Sequence, residues 1–310
     1  MSQPTPGDLV RLRILTTTDL PPHPSIKPTS PHNVDLFNFL QTVLDEGVAF
    51  ADEYVPQTFN KGRVKESPPA VAKVHQLSRD IKVGSDGKTT TESWFARESV
   101  HQNVSEQGTA TFAEFDNGLR VEHSKHEMEY TPSVFDAHRV ADWNELIAVR
   151  GGNVPGGYEE VTMSDWLRDA ITAVYEMCHQ MPPPLTNRVF PVVVVTAKTS
   201  PDSFVVVQIP VDLTDFPDGD VLYANGRNKR DADPGLTRKK ITRGMYVSVE
   251  RVKIMETGDV KWMMATASDA KGYLPMIVQK QGVPGAVLKD VGLFIKWTMD
   301  KRSSGEAAQT

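Results

Sequence analysis

A proline-rich lead-in precedes the first regular pattern of apolar positions. Seven prolines lie within residues 1–31, and proline is poorly tolerated inside helices and central strands. From Asn33, a suitable N-cap residue, apolar side chains recur at the spacing of one helix face up to Ala51. The sequence therefore predicts an arm over residues 1–32, followed by a helix that begins at Asn33 and ends at Pro56.

Three pairs of apolar, largely β-branched runs follow, and each pair is joined by a short segment of turn-forming residues. Such pairs predict β-hairpins. The two central runs are apolar on both faces, which indicates strands that are covered on both sides or that line a cavity on one side. The predicted strands are Val71–Val83, Thr89–His101, Phe190–Ala197, Phe204–Leu213, Met245–Ile254 and Val260–Ser268. After the first pair, the charged segment Thr109–Glu129 carries apolar residues among its charges and predicts an amphipathic helix.

The last predicted element is a helix from Pro284 to about Arg302. Its apolar positions cover a wide arc, which predicts a helix enclosed on more than one side. Gly292, within this helix, allows another part of the chain to approach its backbone closely. Residues 303–310 are predicted to form a disordered tail. Because strands and helices do not alternate as βαβ units, the sequence predicts an α+β fold and excludes a doubly wound sheet.

Several segments resemble the START superfamily of lipid-binding domains. MPPPLTNRVF (Met181–Phe190) resembles a signature in which a proline-rich turn and an arginine precede a central strand, and SDAKGYLPMIVQ (Ser268–Gln279) resembles the approach to the terminal helix. Longer strings are similar to a START-like family of unknown function known mainly from filamentous fungi. They are HSKHEMEYTPSVFDA, MCHQMPPPLTNRVF, FVVVQIPVDL, YVSVERV and MATASDAKGYLPMIVQKQGVPGAVLKDVGLFIKW. One departure is Val189, since many START domains carry an acidic residue at this place after the signature arginine.

The resemblance covers roughly residues 34–302 and implies a helix-grip fold in one ligand-binding domain over residues 33–302. In that fold a curved antiparallel sheet wraps around a long C-terminal helix and encloses an apolar cavity. The superfamily contains carriers and also polyketide cyclases, so the fold alone does not separate these functions. The leading hypothesis is binding or transfer of a lipid or other hydrophobic small molecule. The alternative is an enzyme that uses the same cavity to cyclise or rearrange a polyketide- or terpenoid-like natural product.

Composition and motifs exclude several other classes. A formal net charge of −6 argues against general binding of nucleic acid. The longest apolar stretch, Phe190–Ala197, is far shorter than the roughly 20 residues that span a bilayer. Cys178 is the single cysteine, which rules out an intramolecular disulfide and favours a cytoplasmic protein. Neither a P-loop nor a dinucleotide fingerprint is present, and no cofactor is predicted.

The predicted ligand-binding residues lie on the strands and the helix that would enclose the cavity. The apolar ones are Trp262, Met264 and Phe294. Arg188 is either a cation at the cavity mouth that binds an acidic head group or part of a salt bridge that orders the proline-rich turn. Arg251 shares a strand face with Val247 and Val249, and it points either into the cavity or into solvent.

Polar residues near the predicted cavity supply the candidates for the enzyme alternative. The candidate catalytic residues are Tyr130, His179 and Arg188. Tyr175 either contacts the ligand or forms a structural hydrogen-bonding pair with His179. His123 and His126 lack the HExxH spacing, so the charged segment around them predicts a solvated face and not a metal site. The basic tract Arg227–Arg243 is either an ordinary solvated loop or a surface that touches anionic membrane during transfer.

Overall fold

The computed structural model describes residues 6–26, 34–85, 88–149, 172–181, 183, 185–227, 241–270 and 276–305. The helices are α1 (Leu36–Ala49), α2 (Val55–Thr58), α3 (Phe112–Phe115), α4 (His123–Tyr130), α5 (Asn144–Val149) and α6 (Met276–Ser304). A π-helical turn, Phe50–Tyr54, joins α1 to α2, and a second one, Asp116–Arg120, follows α3. The strands are β1 (Asn60–Ser67), β2 (Ala70–Ser85), β3 (Lys88–His101), β4 (Val134–Asp142), β5 (Thr172–His179), β6 (Arg188–Ser200), β7 (Ser203–Pro210), β8 (Thr242–Arg243), β9 (Met245–Ile254) and β10 (Val260–Asp269).

The strands form one ten-stranded sheet in the order β1-β2-β3-β10-β9-β7-β6-β5-β4. All neighbours in this order pair antiparallel, and the short β8 pairs in parallel with β6. The three predicted hairpins are β2-β3, β6-β7 and β9-β10. A large curved antiparallel sheet followed by a long C-terminal helix confirms the predicted α+β helix-grip fold.

Both faces of the sheet are covered, which explains why its central strands are apolar on both sides. Alternate residues of a strand point to opposite faces. On the outer face, Val205 and Val207 of β7 pack under α1, where Gly47 lets the helix approach. On the inner face, Val206 belongs to a second cluster with Phe294 of α6. The sheet therefore separates two apolar layers, and the cavity lies in the inner layer.

The sequence predicts that the first helix ends at Pro56, but the helical path continues past this residue. Asp35 is its N-cap and accepts hydrogen bonds from the backbone N–H groups of Phe37 and Asn38, both at 3.0 Å; Asn33 lies outside the described residues. The chain continues through the π turn into α2, where Pro56 occupies the first turn. A proline is tolerated there because the π turn has already departed from the regular i→i−4 pattern: the Val55 N–H bonds to the Phe50 carbonyl oxygen, five residues back.

The single helix predicted over Thr109–Glu129 is also wrong, since the segment forms α3, a π turn and α4. Thr111 caps α3 through a reciprocal capping box with Glu114. Between the π turn and α4, Glu122 has a φ of 43°, a left-handed conformation that breaks the helical path. The break reorients α4 relative to α3.

The N-terminal arm is attached to α1 by one carboxylate. Glu46 accepts hydrogen bonds from the backbone N–H groups of Asp8, Leu9 and Val10, at 2.8–3.0 Å. Val10 is fully buried in the outer core. Glu46 thus satisfies three successive backbone donors that helix or sheet bonding would otherwise have to satisfy.

We expect Glu46→Ala to lower the free energy of unfolding by about 2 kcal/mol, because partly buried N–H groups lose a charged acceptor. The arm should also become more sensitive to trypsin at Arg11 and Arg13. Urea denaturation and limited proteolysis measure the two effects. Glu53→Ala, at an exposed position, is the control and should change stability by less than about 0.5 kcal/mol. Equal stability and equal protease resistance of the Glu46 variant and the wild type would contradict this attachment.

Candidate functional site

A cavity of about 450 Å³ lies between the inner face of the sheet and helices α4 and α6. Strands β3, β5, β6, β7, β9 and β10 form one wall. The lining residues are Arg97, Glu127, Tyr130, Thr131, Ser133, Met177, His179, Met181, Leu185, Phe190, Gln208, Tyr246, Glu250, Trp262, Met264, Thr266, Ser268, Ala270, Ala286, Val287 and Asp290. Most of the cavity surface is apolar. Four charged lining residues, Arg97, Glu127, Glu250 and Asp290, interact electrostatically and define a polar region.

The apolar wall is backed by a cluster of aromatic rings. Trp262 lines the cavity, and its ring centroid lies 5.3 Å from that of Phe294 and 5.5 Å from that of Phe115. Phe115 and Phe294 are stacked on each other at 5.0 Å. Rings at these distances pack favourably and hold one another in position. This cluster gives the cavity a rigid floor.

The polar region is built by the register of three neighbouring strands. Arg97 on β3, Met264 on β10 and Glu250 on β9 are direct cross-strand partners, so their side chains share the inner face. The Trp262 indole Nε1 donates a hydrogen bond to Glu250 at 2.8 Å. The guanidinium of Arg97 lies 3.7 Å above the centroid of the Trp262 ring, a cation–π contact.

The helices contribute two further carboxyl groups to this region. Glu127 comes from α4 and Asp290 from α6. Helix α4 is held against the sheet by His123, whose Nε2 is 2.9 Å from the Gln208 side-chain nitrogen and whose Nδ1 is 2.5 Å from the Leu119 carbonyl oxygen. Both His123 and Gln208 are buried. The buried histidine therefore fixes the position of α4 relative to the sheet, and with it the position of the Glu127 side chain in the cavity.

Burial shifts the pKa values of the groups around the cavity. Burial raises the pKa of Asp290 to about 7, with further raising by Glu127 and Glu250 and an opposing effect of Arg97. Burial also raises the pKa of Glu127. Burial lowers the pKa of the Arg97 guanidinium, against the effect of the Glu250 and Asp290 carboxylates. For His179, burial lowers the pKa to about 4, so its imidazole is neutral near pH 7.

The raised pKa of Asp290 predicts how the free energy of unfolding changes with pH. Its pKa in the folded protein is above the usual value of 3.8, so this group favours folding at low pH, and that contribution is lost as the pH rises toward 7. Asp290→Asn should remove this decrease in unfolding free energy, because asparagine does not ionise. Relative to the wild type, the variant should gain about 4 kcal/mol of unfolding free energy between pH 4 and pH 8, since one pKa unit corresponds to about 1.4 kcal/mol.

Chemical denaturation of both proteins across that pH range measures the effect. The groups that face Asp290 from the sheet and from α4 are Arg97, Glu250 and Glu127, and both proteins retain them. The control is Glu98→Gln, which should keep the wild-type pH dependence. Glu98 is next to Arg97 on β3, but it lies on the other face of the sheet, where it pairs with Lys261. Parallel curves for Asp290→Asn and the wild type would show that this carboxyl is not held in a buried site.

Four of the sequence-predicted residues line the cavity. They are Trp262, Met264, Tyr130 and His179. Phe294 lies directly behind the lining, where its ring contacts those of Tyr130 at 5.8 Å and Trp262 at 5.3 Å. Tyr130 and His179 come from α4 and the end of β5.

Arg188, Tyr175 and Arg251 do not line the cavity. Arg188 is buried at the start of β6, where its Nε donates a hydrogen bond to the Ala270 carbonyl oxygen at 2.8 Å. Tyr175 shares a face of β5 with Met177 but packs beside the cavity against the inner core. The cavity-facing interpretation of Arg251 is wrong, because odd-numbered residues of β9 point to the outer face. There it pairs with Asp52 at 3.1 Å, and its neighbour Glu250 points into the cavity instead.

The interpretation of the charged segment as a solvated face is wrong at His123, which is buried, and at Glu127, which lines the cavity. The polar residues missed by sequence reasoning are Arg97, Glu127, Glu250 and Asp290. Glu250 and Asp290 could have been found from alternation: Glu250 lies on the strand face opposite Val247 and Val249, and Asp290 lies on the helix face of Val287 and Val291. Nothing in the pattern around Arg97 and Glu127 separates them from ordinary surface charges.

The tract proposed for membrane contact falls mostly on residues 228–240, outside the described residues. At its flanks, Arg227 donates to the carbonyl oxygens of Asp218 and Val221, and Arg243 donates to that of Ala224 at 2.6 Å. Both flanking arginines are thus used to hold the preceding loop. Within the described part of the chain, no helix combines the length and the apolar character needed to cross a bilayer.

Solved START domains are similar to this chain. The crystal structure of human STARD10 has 12% sequence identity and a TM-score of 0.48, over 80% of this chain and 78% of that one. Human StAR-related lipid transfer protein 5 has 12% identity and a TM-score of 0.47, over 77% of this chain and 86% of that one.

Sequence comparison gives the family. An uncharacterized protein of Schizosaccharomyces pombe, C577.11, is 24% identical over 213 residues, which are 67% of this chain and 69% of that protein. The model of a family described as "Protein of unknown function (DUF3074)" matches residues 94–298. This range runs from β3 into the last turns of α6 and includes every polar group of the cavity described above. The predicted resemblance to a START-like family of unknown function is confirmed, and the chain belongs to the DUF3074 family.

Proposed function

We propose that this protein binds, and transfers between membranes, a lipid or other hydrophobic small molecule held in the cavity. The observation that carries the proposal is the cavity itself, about 450 Å³ with a mostly apolar lining. Pockets for small molecules have volumes of about 300–1,000 Å³ and combine apolar walls with a few polar groups. A cytoplasmic location belongs to the proposal and is supported by the single, buried cysteine, Cys178.

The energetics of an empty cavity favour an occupant. At about 24 cal/mol per Å³, a closed and dry apolar void of this size would cost about 10 kcal/mol, so the cavity must hold a ligand or water. That cost is comparable to the whole net stability of a typical domain. A ligand that fills the void and binds only the folded state would raise the stability accordingly.

A screen of lipid classes against the purified full-length chain tests the proposal. We expect at least one apolar class to raise the midpoint of thermal unfolding and to give a one-to-one complex in native mass spectrometry. The absence of both effects with every class, from fatty alcohols and sterols to phospholipids, would refute binding. Exchange of a labelled ligand between donor and acceptor vesicles then separates transfer from storage.

One observation keeps the enzyme alternative as a second candidate. Asp290, with a pKa of about 7, lines the same cavity as Tyr130 and His179, and a carboxyl with a pKa near neutrality suits general acid–base catalysis. In this alternative the cavity folds a polyketide-like chain, and the Asp290 carboxylate removes a proton from a methylene between two carbonyl groups. The resulting carbanion attacks a further carbonyl carbon to form the ring bond, and Asp290 returns the proton to the alkoxide. Incubation with a synthetic linear poly-β-ketone thioester tests it: cyclisation faster than without protein, with the acceleration lost in Asp290→Asn, supports catalysis, and the rate found without protein refutes it.

A further inference from the structure

The polar region of the cavity contains more acid than base. Glu127, Glu250 and Asp290 face it from three different elements, and Arg97 is the cation among its described lining residues. His179 is neutral near pH 7, because burial lowers its pKa to about 4. A buried guanidinium can neutralise one carboxylate. The other two carboxyl groups must therefore either bind protons or acquire a cation from outside the described residues.

Two of these groups also have unused hydrogen-bonding atoms. Arg97 is 1% exposed, and within the part of the chain that the structure describes its Nε and Nη1 have no hydrogen-bond partner. The Oε2 atom of Glu127 has none either; the nearest cation-forming group, His123 Nε2, is 3.6 Å away and is bonded to Gln208. Buried polar atoms are normally satisfied, and an unsatisfied one costs about 1–3 kcal/mol. The cavity thus presents an unused donor and an unused acceptor in the same region.

An anionic head group fits this region poorly, although a buried arginine by itself would favour one. The face of the Arg97 guanidinium is covered by Trp262, and Glu250 is bonded to that same indole. An added carboxylate or phosphate would approach three carboxyl groups in a medium of low dielectric constant. Repulsion there is much stronger than in water.

We propose that the cavity recognises an amphiphile whose polar end is an amino alcohol, that is, an ammonium group beside a hydroxyl group. The ammonium supplies the missing cation to Glu127 and Asp290, and the hydroxyl oxygen accepts from the unused N–H groups of Arg97. The hydrocarbon part lies along the apolar wall formed by Met177, Phe190 and Met264. This inference rests on the proposed function and specifies the ligand class.

A panel of ligands with one chain length and different head groups tests the inference. The probes are 2-aminodecan-1-ol, decylamine, decan-1-ol and decanoate, titrated into the full-length protein at pH 7.5 by calorimetry. We expect 2-aminodecan-1-ol to bind most tightly, at least tenfold more tightly than decan-1-ol, and decanoate to bind most weakly. Any other tightest ligand overturns the inference and leaves the proposed function intact. If none of the four binds and the lipid screen above is also negative, the proposed function itself fails.

A pair of substitutions assigns the preference to the carboxyl groups. The double variant Glu127→Gln with Asp290→Asn keeps the side-chain shapes and removes two negative charges. It should lose at least tenfold in affinity for 2-aminodecan-1-ol and change less than threefold for decan-1-ol. Glu98→Gln, which removes a charge outside the cavity, should leave both affinities unchanged. If the double variant loses affinity equally for both ligands, the substitutions have damaged the packing of the cavity, and the assignment is overturned. An unchanged affinity for 2-aminodecan-1-ol would overturn it as well.

Discussion

Gly292→Ala is expected to lower the free energy of unfolding by about 2–3 kcal/mol, the upper part of the range of about 1–3 kcal/mol that is typical when an extra group is forced into a packed interior. A Cβ at this position would lie 2.4 Å from the carbonyl oxygen of Pro68 and 2.6 Å from that of Ser67. The contact is reinforced by hydrogen bonds: the Gly292 N–H donates to the Ser67 hydroxyl at 2.9 Å, and that hydroxyl donates to the Leu288 carbonyl oxygen at 2.7 Å. Helix α6 must move away from the β1-β2 turn to accommodate a methyl group.

The same helix provides a matched control. Gly285 is exposed, and a Cβ there would meet nothing within 4 Å. Gly285→Ala should stabilise the protein by up to about 1 kcal/mol, because alanine has the higher helix propensity. Urea denaturation of both variants measures the difference. Similar effects of the two substitutions would show that α6 does not close against the turn at Gly292.

Ser268→Trp is expected to reduce the affinity for apolar ligands by at least tenfold while leaving the protein folded. Ser268 lines the cavity at the end of β10, opposite Tyr246 on β9, and is only partly buried. An indole at this position would occupy the space that the ligand needs. The affected quantity is the ligand affinity, since filling a void does not of itself destabilise the fold.

Titration of decan-1-ol into the wild type and the variant measures the change. Val100→Trp, on the exposed surface of β3, adds the same side chain outside the cavity and should bind as the wild type does. The circular dichroism spectra of all three proteins should coincide. Undiminished binding to a folded Ser268→Trp would place the ligand elsewhere.

The three hairpins of the sheet and the existence of the last helix were predictable from sequence because their signals are local. The start of that helix was predicted wrongly: it begins at Met276 and not at Pro284. The hairpins β6-β7 and β9-β10 have β-branched runs on both sides of short turns, and these runs coincide with the observed strands to within a few residues. Strands β1, β4 and β5 were missed. Nearly all side chains of β1 are exposed, and an edge strand needs no apolar face. The boundaries around Pro56 and Glu122 were missed because π turns and a left-handed residue carry no periodic signal.

The candidate site was predicted in its apolar part and at Tyr130 and His179, but its charged residues were missed. The positions of Trp262 and Met264 in the cavity wall follow from the alternation of side chains along one strand. The polar region depends instead on the register between strands and on the position of α4 relative to the sheet. Register brings Arg97 opposite Met264 and Glu250, and no pattern within a single segment contains that information. Glu127 faces the cavity because the break at Glu122 and the buried bond between His123 and Gln208 orient α4. The sequence pattern of this segment instead predicts a face exposed to solvent.

The location of a bound ligand tests the central claim most directly. A long-chain alcohol that carries a photoreactive diazirine, irradiated with the protein and mapped by peptide mass spectrometry, reports which residues touch the chain. Labels on cavity residues such as Met177, Phe190 and Met264, suppressed by excess unlabelled alcohol, are the predicted result. Labels confined to exposed apolar residues such as Val64 and Val71, or labelling that excess alcohol does not suppress, would contradict a ligand held between the sheet and α6.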